Sequence, residues 1–183
     1  MKVLRKQELE TSSIQAGDQI VIQLTGFGKF TATAQKITDK GTLFLFDDCV
    51  TKRPMNTKRT NKGGYEKSYL CTWISNFLSA AFPEYLINRI ENLTIPTYGQ
   101  MFGHDDWYND VMEPDDDEQL PLMKKRKNRI ADFNDNYDWY WIQNAMKKEF
   151  SSSLFANVSY YGLARNYLAS NSGGVRPVFW LVK

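Results

Sequence analysis

Histidine and carboxylate side chains set side by side can bind a metal or move a proton, and this sequence has one such place. His104-Asp105-Asp106 holds the single histidine of the 183 residues. A zinc site needs three or four nitrogen, sulfur or carboxylate ligands. No second histidine exists to help, so the stretch reads as a surface loop. Asp115-Asp116-Asp117-Glu118 offers the oxygen atoms that a hard cation such as calcium takes. It lacks the glycine and terminal glutamate of a helix–loop–helix calcium loop, and acidic runs usually stay solvated. Lys124-Lys125-Arg126-Lys127 follow. Loose pairing of the two runs across a long loop is expected, each contact worth about 1 kcal/mol or less. Cys49 and Cys71 are the only cysteines, too few for a disulfide framework. Two buried free thiols are expected, with a single bridge as the alternative. No Ser–His–Asp order is convincing.

Two phosphate-binding readings fail on the sequence. Gly26-Phe27-Gly28 has neither the third glycine nor the following helix of a nucleotide loop, and is a hairpin turn. The basic run Lys52, Arg53, Lys58, Arg59, Lys62, Lys67 has few interleaved aromatics and reads as a solvated loop. Net charge is +2, which gives no electrostatic case for a nucleic-acid partner.

The elements that must position these residues follow from composition and period. Hydrophobic residues make up 42% and aromatics 14%, so one packed domain over 1–183 is expected. No apolar run reaches the roughly 20 residues of a membrane span. The opening MKVLRKQELETSS, a short leader or first helix, lacks the apolar core of a signal peptide. The chain is therefore expected to be made in the cytoplasm without membrane insertion. Gln19–Leu24, Lys29–Ile37 and Thr42–Phe46 alternate between turn signals and predict an N-terminal antiparallel meander over 1–45. Leu70, Trp73, Ile74, Phe77 and Leu78 fall at helical spacing, which predicts a helix from Ser68. Pro83 opens a second helix, Glu84–Ile90. Asn92–Tyr98 reads as a short extended piece, and residues 99–136 as polar insertion loops.

The stretch 137–183 organises the rest. Trp139 and Trp141 should face one way, Tyr140 and Ile142 the other, on a strand buried on both sides. Val178-Phe179-Trp180-Leu181 is a second interior strand. Between them lies a span rich in Ser, Asn, Tyr and Gly, the palette of an adaptable binding surface. Arg176, next to Pro177, is read as a tie between loop carbonyls, with anion binding as the alternative.

Gly173-Gly174-Val175-Arg176-Pro177, followed by that apolar strand, resembles the C-terminal signature of uncharacterised bacterial and phage domains. Those domains are similar to the C-type lectin fold, in the branch shared with formylglycine-generating enzymes. The same ending is similar to that of variable proteins of diversity-generating retroelements. Phe46-Asp47-Asp48, Asn61-Lys62-Gly63-Gly64-Tyr65, Ser68, Trp73, Ile95-Pro96-Thr97 and Phe102-Gly103 extend the likeness from about Leu43 onward. Gln143-Asn144-Ala145-Met146-Lys147-Lys148 departs from the usual small polar run, so the surface chemistry does not carry over.

The resemblance implies an α+β chain of C-type-lectin-like fold, with antiparallel sheets, two helices and long irregular loops. It implies a non-enzymatic, receptor-recognising domain whose variable surface meets a protein or glycan ligand on a cell surface. Such a domain could reach its target by lysis or on a virion. The residues expected to face outward and bind are Asn144, Met146, Lys148, Asn157, Ser159, Tyr160, Tyr161, Leu163, Arg165, Asn166, Tyr167 and Asn171. No cofactor is expected. C-type lectin folds occur with and without calcium, which keeps that ion open. One alternative is a structural virion or assembly module. The other is an enzyme of the formylglycine-generating type, which needs a reactive cysteine pair in the C-terminal part, where this chain has none.

Overall fold

The computed structural model describes residues 14–183; the leader or first helix expected over 1–13 lies outside the described residues. Strands β1 (Gln19–Leu24), β2 (Gly28–Ile37) and β3 (Gly41–Phe46) form the expected antiparallel meander. Alternation sets its inner face: Ile22, Leu24, Ala32 and Ala34 are buried. Every residue of β3 is buried, because it is covered on both faces. Phe44 and Phe46 enter one core, Leu43 and Leu45 another.

Strand β12 (Val178–Val182) lies between β3 and β5 (Ile90–Thr94), giving the sheet order β1-β2-β3-β12-β5. Phe179 stacks on Phe44 at 5.7 Å between centroids, 18° from parallel. The second sheet has β4 (Thr51–Pro54), β8 (Tyr140–Ala145), β9 (Leu154–Val158), β10 (Ala164–Leu168) and β11 (Ser172–Val175). Its order is β10-β9-β8-β11-β4, with β10 at one edge. β8 and β11 run parallel at Gly174–Tyr140, so this sheet is mixed, not wholly antiparallel as expected. β6 (Ala131–Phe133) and β7 (Asn136–Asp138) make a separate hairpin.

Helix α1 (Tyr69–Trp73) starts where Ser68 caps it: the Cys71 N–H donates to Ser68 Oγ at 3.0 Å. It continues through a π-type turn, Ile74–Leu78, and a tight turn, Ser79–Ala81. The wider turn shifts the phase of the stripe. Leu70, Trp73, Ile74 and Leu78 stay buried, but Phe77, expected among them, is 64% exposed. Helix α2 (Glu84–Ile87) is shorter than expected, because Ile90 already begins the edge strand β5.

The polar region after Pro96 is not an irregular loop. It contains α3 (Tyr98–Phe102) and α4 (Asp106–Val111), so among the described residues four short α-helices replace the two expected. Tyr98, Met101, Tyr108, Met112, Leu120 and Met123 build the second core against Tyr140, Ile142 and Val158. The fold is α+β, mostly sheet with few short helices.

Arg176 closes the middle of the molecule. It is buried, and its Nε donates to the Phe46 carbonyl at 2.7 Å. Its other nitrogens donate to the Asn128 carbonyl at 3.2 Å and to the Tyr140 hydroxyl at 2.9 Å. A planar fork of five donors suits such a knot of carbonyls.

Candidate functional site

The expected binding residues separate into three places. Asn144, Asn157 and Ser159 are interior, contrary to the expectation that they face outward. Asn144 turns inward because β8 carries extra residues against β9, where the register shifts between Trp141 and Ala145. Its Oδ1 accepts the Tyr98 N–H at 2.6 Å, and its Nδ2 donates to the Glu113 carbonyl at 3.0 Å and to Asp115 Oδ2 at 2.8 Å. Ser159 Oγ accepts the Leu163 N–H at 3.2 Å and staples the β9–β10 turn. Asn157 has no exposed surface, and neither atom of its amide has a partner among the described residues. The span between the tryptophan strands is thus not all surface: β9 and most of β11 are buried.

Met146 and Lys148 border a groove of about 630 Å³, with Asn61, Lys62, Gly63, Gly64 and Glu113 across from them. Asn61 shapes it, donating from Nδ2 to the Met146 carbonyl at 2.9 Å and the Ser151 carbonyl at 3.0 Å. Gly63 and Gly64 both take positive φ, which suits glycine.

The third place is the β9–β10 hairpin. Arg165 pairs in register with Asn157, and Tyr167 with Phe155, so the two side chains share a face of the edge strand. Tyr167 leans on Trp139 at 4.8 Å, and Trp139 on the buried Trp141 at 4.8 Å. The row runs from solvent to core. Gly173 makes it possible, since a Cβ there would overlap the Trp139 ring. At the tip, Arg129 Nε donates to the Gly162 carbonyl at 2.9 Å, and Gly162 has φ 73°. A Cβ at Gly162 would lie 2.7 Å from the Arg126 carbonyl oxygen, so the tip backbone is held close. Tyr160 and Tyr161 project from it with ring centroids 4.1 Å apart and are 46% and 60% exposed. The neighbouring Tyr161 phenol, and more weakly Tyr167, raise the Tyr160 pKa. Lys148, Tyr160, Tyr161, Arg165 and Tyr167 are exposed; Met146, Leu163, Asn166 and Asn171 are half-buried. Trp139, read from sequence as interior, is half-buried and belongs to this patch.

The histidine and acidic stretches meet, which sequence reasoning missed. Asp115 Oδ2 accepts from the Gly99 N–H at 3.1 Å and the Tyr108 hydroxyl at 3.0 Å, besides Asn144. Its Oδ1 accepts the Asp117 N–H at 3.0 Å and lies 3.5 Å from His104 Nε2. The His104 ring lies parallel to Tyr108 at 4.8 Å. Burial alone would raise the Asp115 pKa; the Gly99, Asn144, Asp117 and Tyr108 hydrogen bonds outweigh it and lower the pKa. Among the described residues, no serine or cysteine hydroxyl or thiol joins this cluster in hydrogen-bond contact. The expected pairing of residues 115–118 with 124–127 does not form among the described residues, whose ion pairs are Lys52–Asp138 and His104–Asp115. Nor do three or more His, Cys, Asp or Glu side chains gather there to hold a metal ion.

Cys49 and Cys71 are free. Burial pushes the Cys49 thiol up to about 12, behind Gly174. Cys71 is only half-buried, short of the burial expected, and partial burial also raises its pKa. Among the described residues no helix is long and apolar enough to cross a membrane.

A family model of a domain of unknown function, DUF6273, matches residues 40–183. The chain belongs to this family. No curated protein and no solved structure matches it. The DUF6273 match runs from the start of β3 through β12, so it includes the groove, the Asp115 cluster and the hairpin patch and leaves out β1 and β2.

Proposed function

We propose that this chain is a ligand-recognition domain of C-type-lectin-like fold, non-enzymatic, using the Trp139, Tyr160, Tyr161, Arg165 and Tyr167 patch to hold a protein or glycan on a cell surface. The supporting observation is the hairpin tip, whose backbone is tied down by Arg129 while two phenols project from it. Rigid aromatic groups on a fixed scaffold give contact area at low entropy cost. Tyr and Arg are also the side chains in which binding energy concentrates. The poorly acidic thiols favour this over formylglycine-type chemistry, which needs a thiolate. The variable-protein reading places the diversified positions on the same patch and the Met146–Lys148 groove.

The test joins sequencing to binding. Gene sequences from many isolates should show substitutions concentrated at 146, 148, 160, 161, 165 and 167, beside a reverse-transcriptase gene. Substitutions spread evenly along the chain would overturn diversification. Separately, the intact protein is presented to a panel of bacterial cells and glycans. Joint alanine substitution at Tyr160, Tyr161 and Arg165 should abolish capture without lowering the melting temperature; unchanged capture would overturn the patch.

A second reading, an assembly module, draws on β10 being a sheet edge with exposed aromatics. Solution mass separates the two: an obligate oligomer that shields the three tyrosines favours assembly.

A further inference from the structure

A cavity of about 380 Å³ lies between one face of β1 and β2, the turn after β3, and residues 122–130. None of its groups belongs to the patch proposed above, so the two readings fail separately. Gln35 lines it and is the peculiar residue. Ala34 pairs with Phe44 and Lys36 with Leu43, which leaves Gln35 as the extra residue of a β-bulge. Bulges re-aim side chains and recur beside binding sites. Gln35 is only 2% exposed. Its Nε2 donates to the Thr33 carbonyl at 3.1 Å, which fixes the orientation of the amide. Its Oε1 has no hydrogen-bond partner among the described residues. A position chosen only for packing would hold an apolar side chain here.

The charges around it are unbalanced. Among the described residues, Asp47 accepts from neutral donors only, the Thr33 hydroxyl at 2.5 Å and Gln19 Nε2 at 3.0 Å. Asp48 Oδ1 accepts the Asp132 N–H at 3.0 Å. Arg176 also lines the cavity, but its fork is held by carbonyls and a phenol. Neither carboxylate forms an ion pair among the described residues. Two carboxylates and an orphan amide oxygen therefore face one guanidinium that is already engaged.

We propose that this cavity binds a small molecule through a primary ammonium group. An ammonium brings three donors, no acceptor and one positive charge. It would satisfy the Gln35 oxygen and offset the carboxylate excess together. A hydroxyl would bring lone pairs to a wall already rich in them, and an anion would meet Asp47 and Asp48. The volume is near the lower end of small-molecule sites, about 300–1,000 Å³.

The experiment is an NMR titration of the ¹⁵N-labelled full chain with ethanolamine, ethylene glycol and acetate. Ethanolamine alone should give saturable shifts at the Gln35 side-chain amide and the Asp47 and Asp48 amides. Asp47→Asn should weaken that affinity about tenfold. Gln35→Met should abolish it while the melting temperature stays the same or rises, because a buried orphan acceptor is removed. Equal shifts with ethylene glycol would overturn the proposal in favour of a hydroxyl site, and shifts with acetate in favour of an anion site on Arg176. No localised response to any probe would make the cavity a packing feature and also overturn it.

Discussion

The Asp115 cluster and the tip of the β9–β10 hairpin use similar side chains to opposite ends. In the cluster, phenol, amide and carboxylate face one another, and each Asp115 oxygen receives hydrogen bonds from inside the molecule. At the tip the backbone is tied to Arg129, while the phenols project into solvent. A histidine 3.5 Å from a carboxylate has the look of proton-transfer machinery. The groups around it instead join α3, α4 and β8. What a side chain can do for a partner depends on which of its atoms the fold leaves unengaged.

The sharpest way to break this contrast is Asp115→Ala. It strands the Gly99 N–H and the Asn144 amide, and should cost about 3 kcal/mol in urea unfolding. A loss below about 0.5 kcal/mol would class the cluster with ordinary surface groups. The same residue gives a pH signature. Its folded pKa is lowered, so its stabilisation is complete above the unfolded value near 3.8 and disappears as pH falls through the folded value. Urea midpoints measured from neutral pH into acid should fall more steeply for the native chain than for Asp115→Asn.

Asn157→Leu comes next and has the opposite sign. Replacing a buried, unpartnered amide with an apolar group of similar size should raise stability by about 1 kcal/mol. Destabilisation instead would reveal a hidden partner. Tyr167→Ala removes the contact with Trp139 and should cost about 0.5–1.5 kcal/mol, read as a shift in denaturation midpoint. Tyr161→Ala should change stability by less than about 0.5 kcal/mol. If Tyr161→Ala proves as costly as Asp115→Ala, the tip is core and not binding surface. The smallest effect is kinetic: a thiol reagent should modify Cys71 before Cys49 in the native chain.

Much of the frame was legible. The meander follows from alternation, the α1 start from Ser68, and the role of Arg176 from its donor geometry. The hub was not, because Gly99, Asp115 and Asn144 come together only through tertiary packing. Asn144 also defeats period-two reasoning, since the irregular register of β8 turns it inward. Phe77 fails for a related reason, the phase shift of the π-type turn. Asn157 looked like a surface amide because composition does not reveal which strand of a sheet is covered.

Val178–Val182 sits between a strand that begins at Gly41 and one that begins at Ile90. While the ribosome is still making this domain, those two neighbours lack the strand that pairs with both. The first sheet therefore closes only after release of residues 178–182 from the exit tunnel. A nascent chain stalled before them exposes two naked sheet borders, an invitation to chaperones and to aggregation.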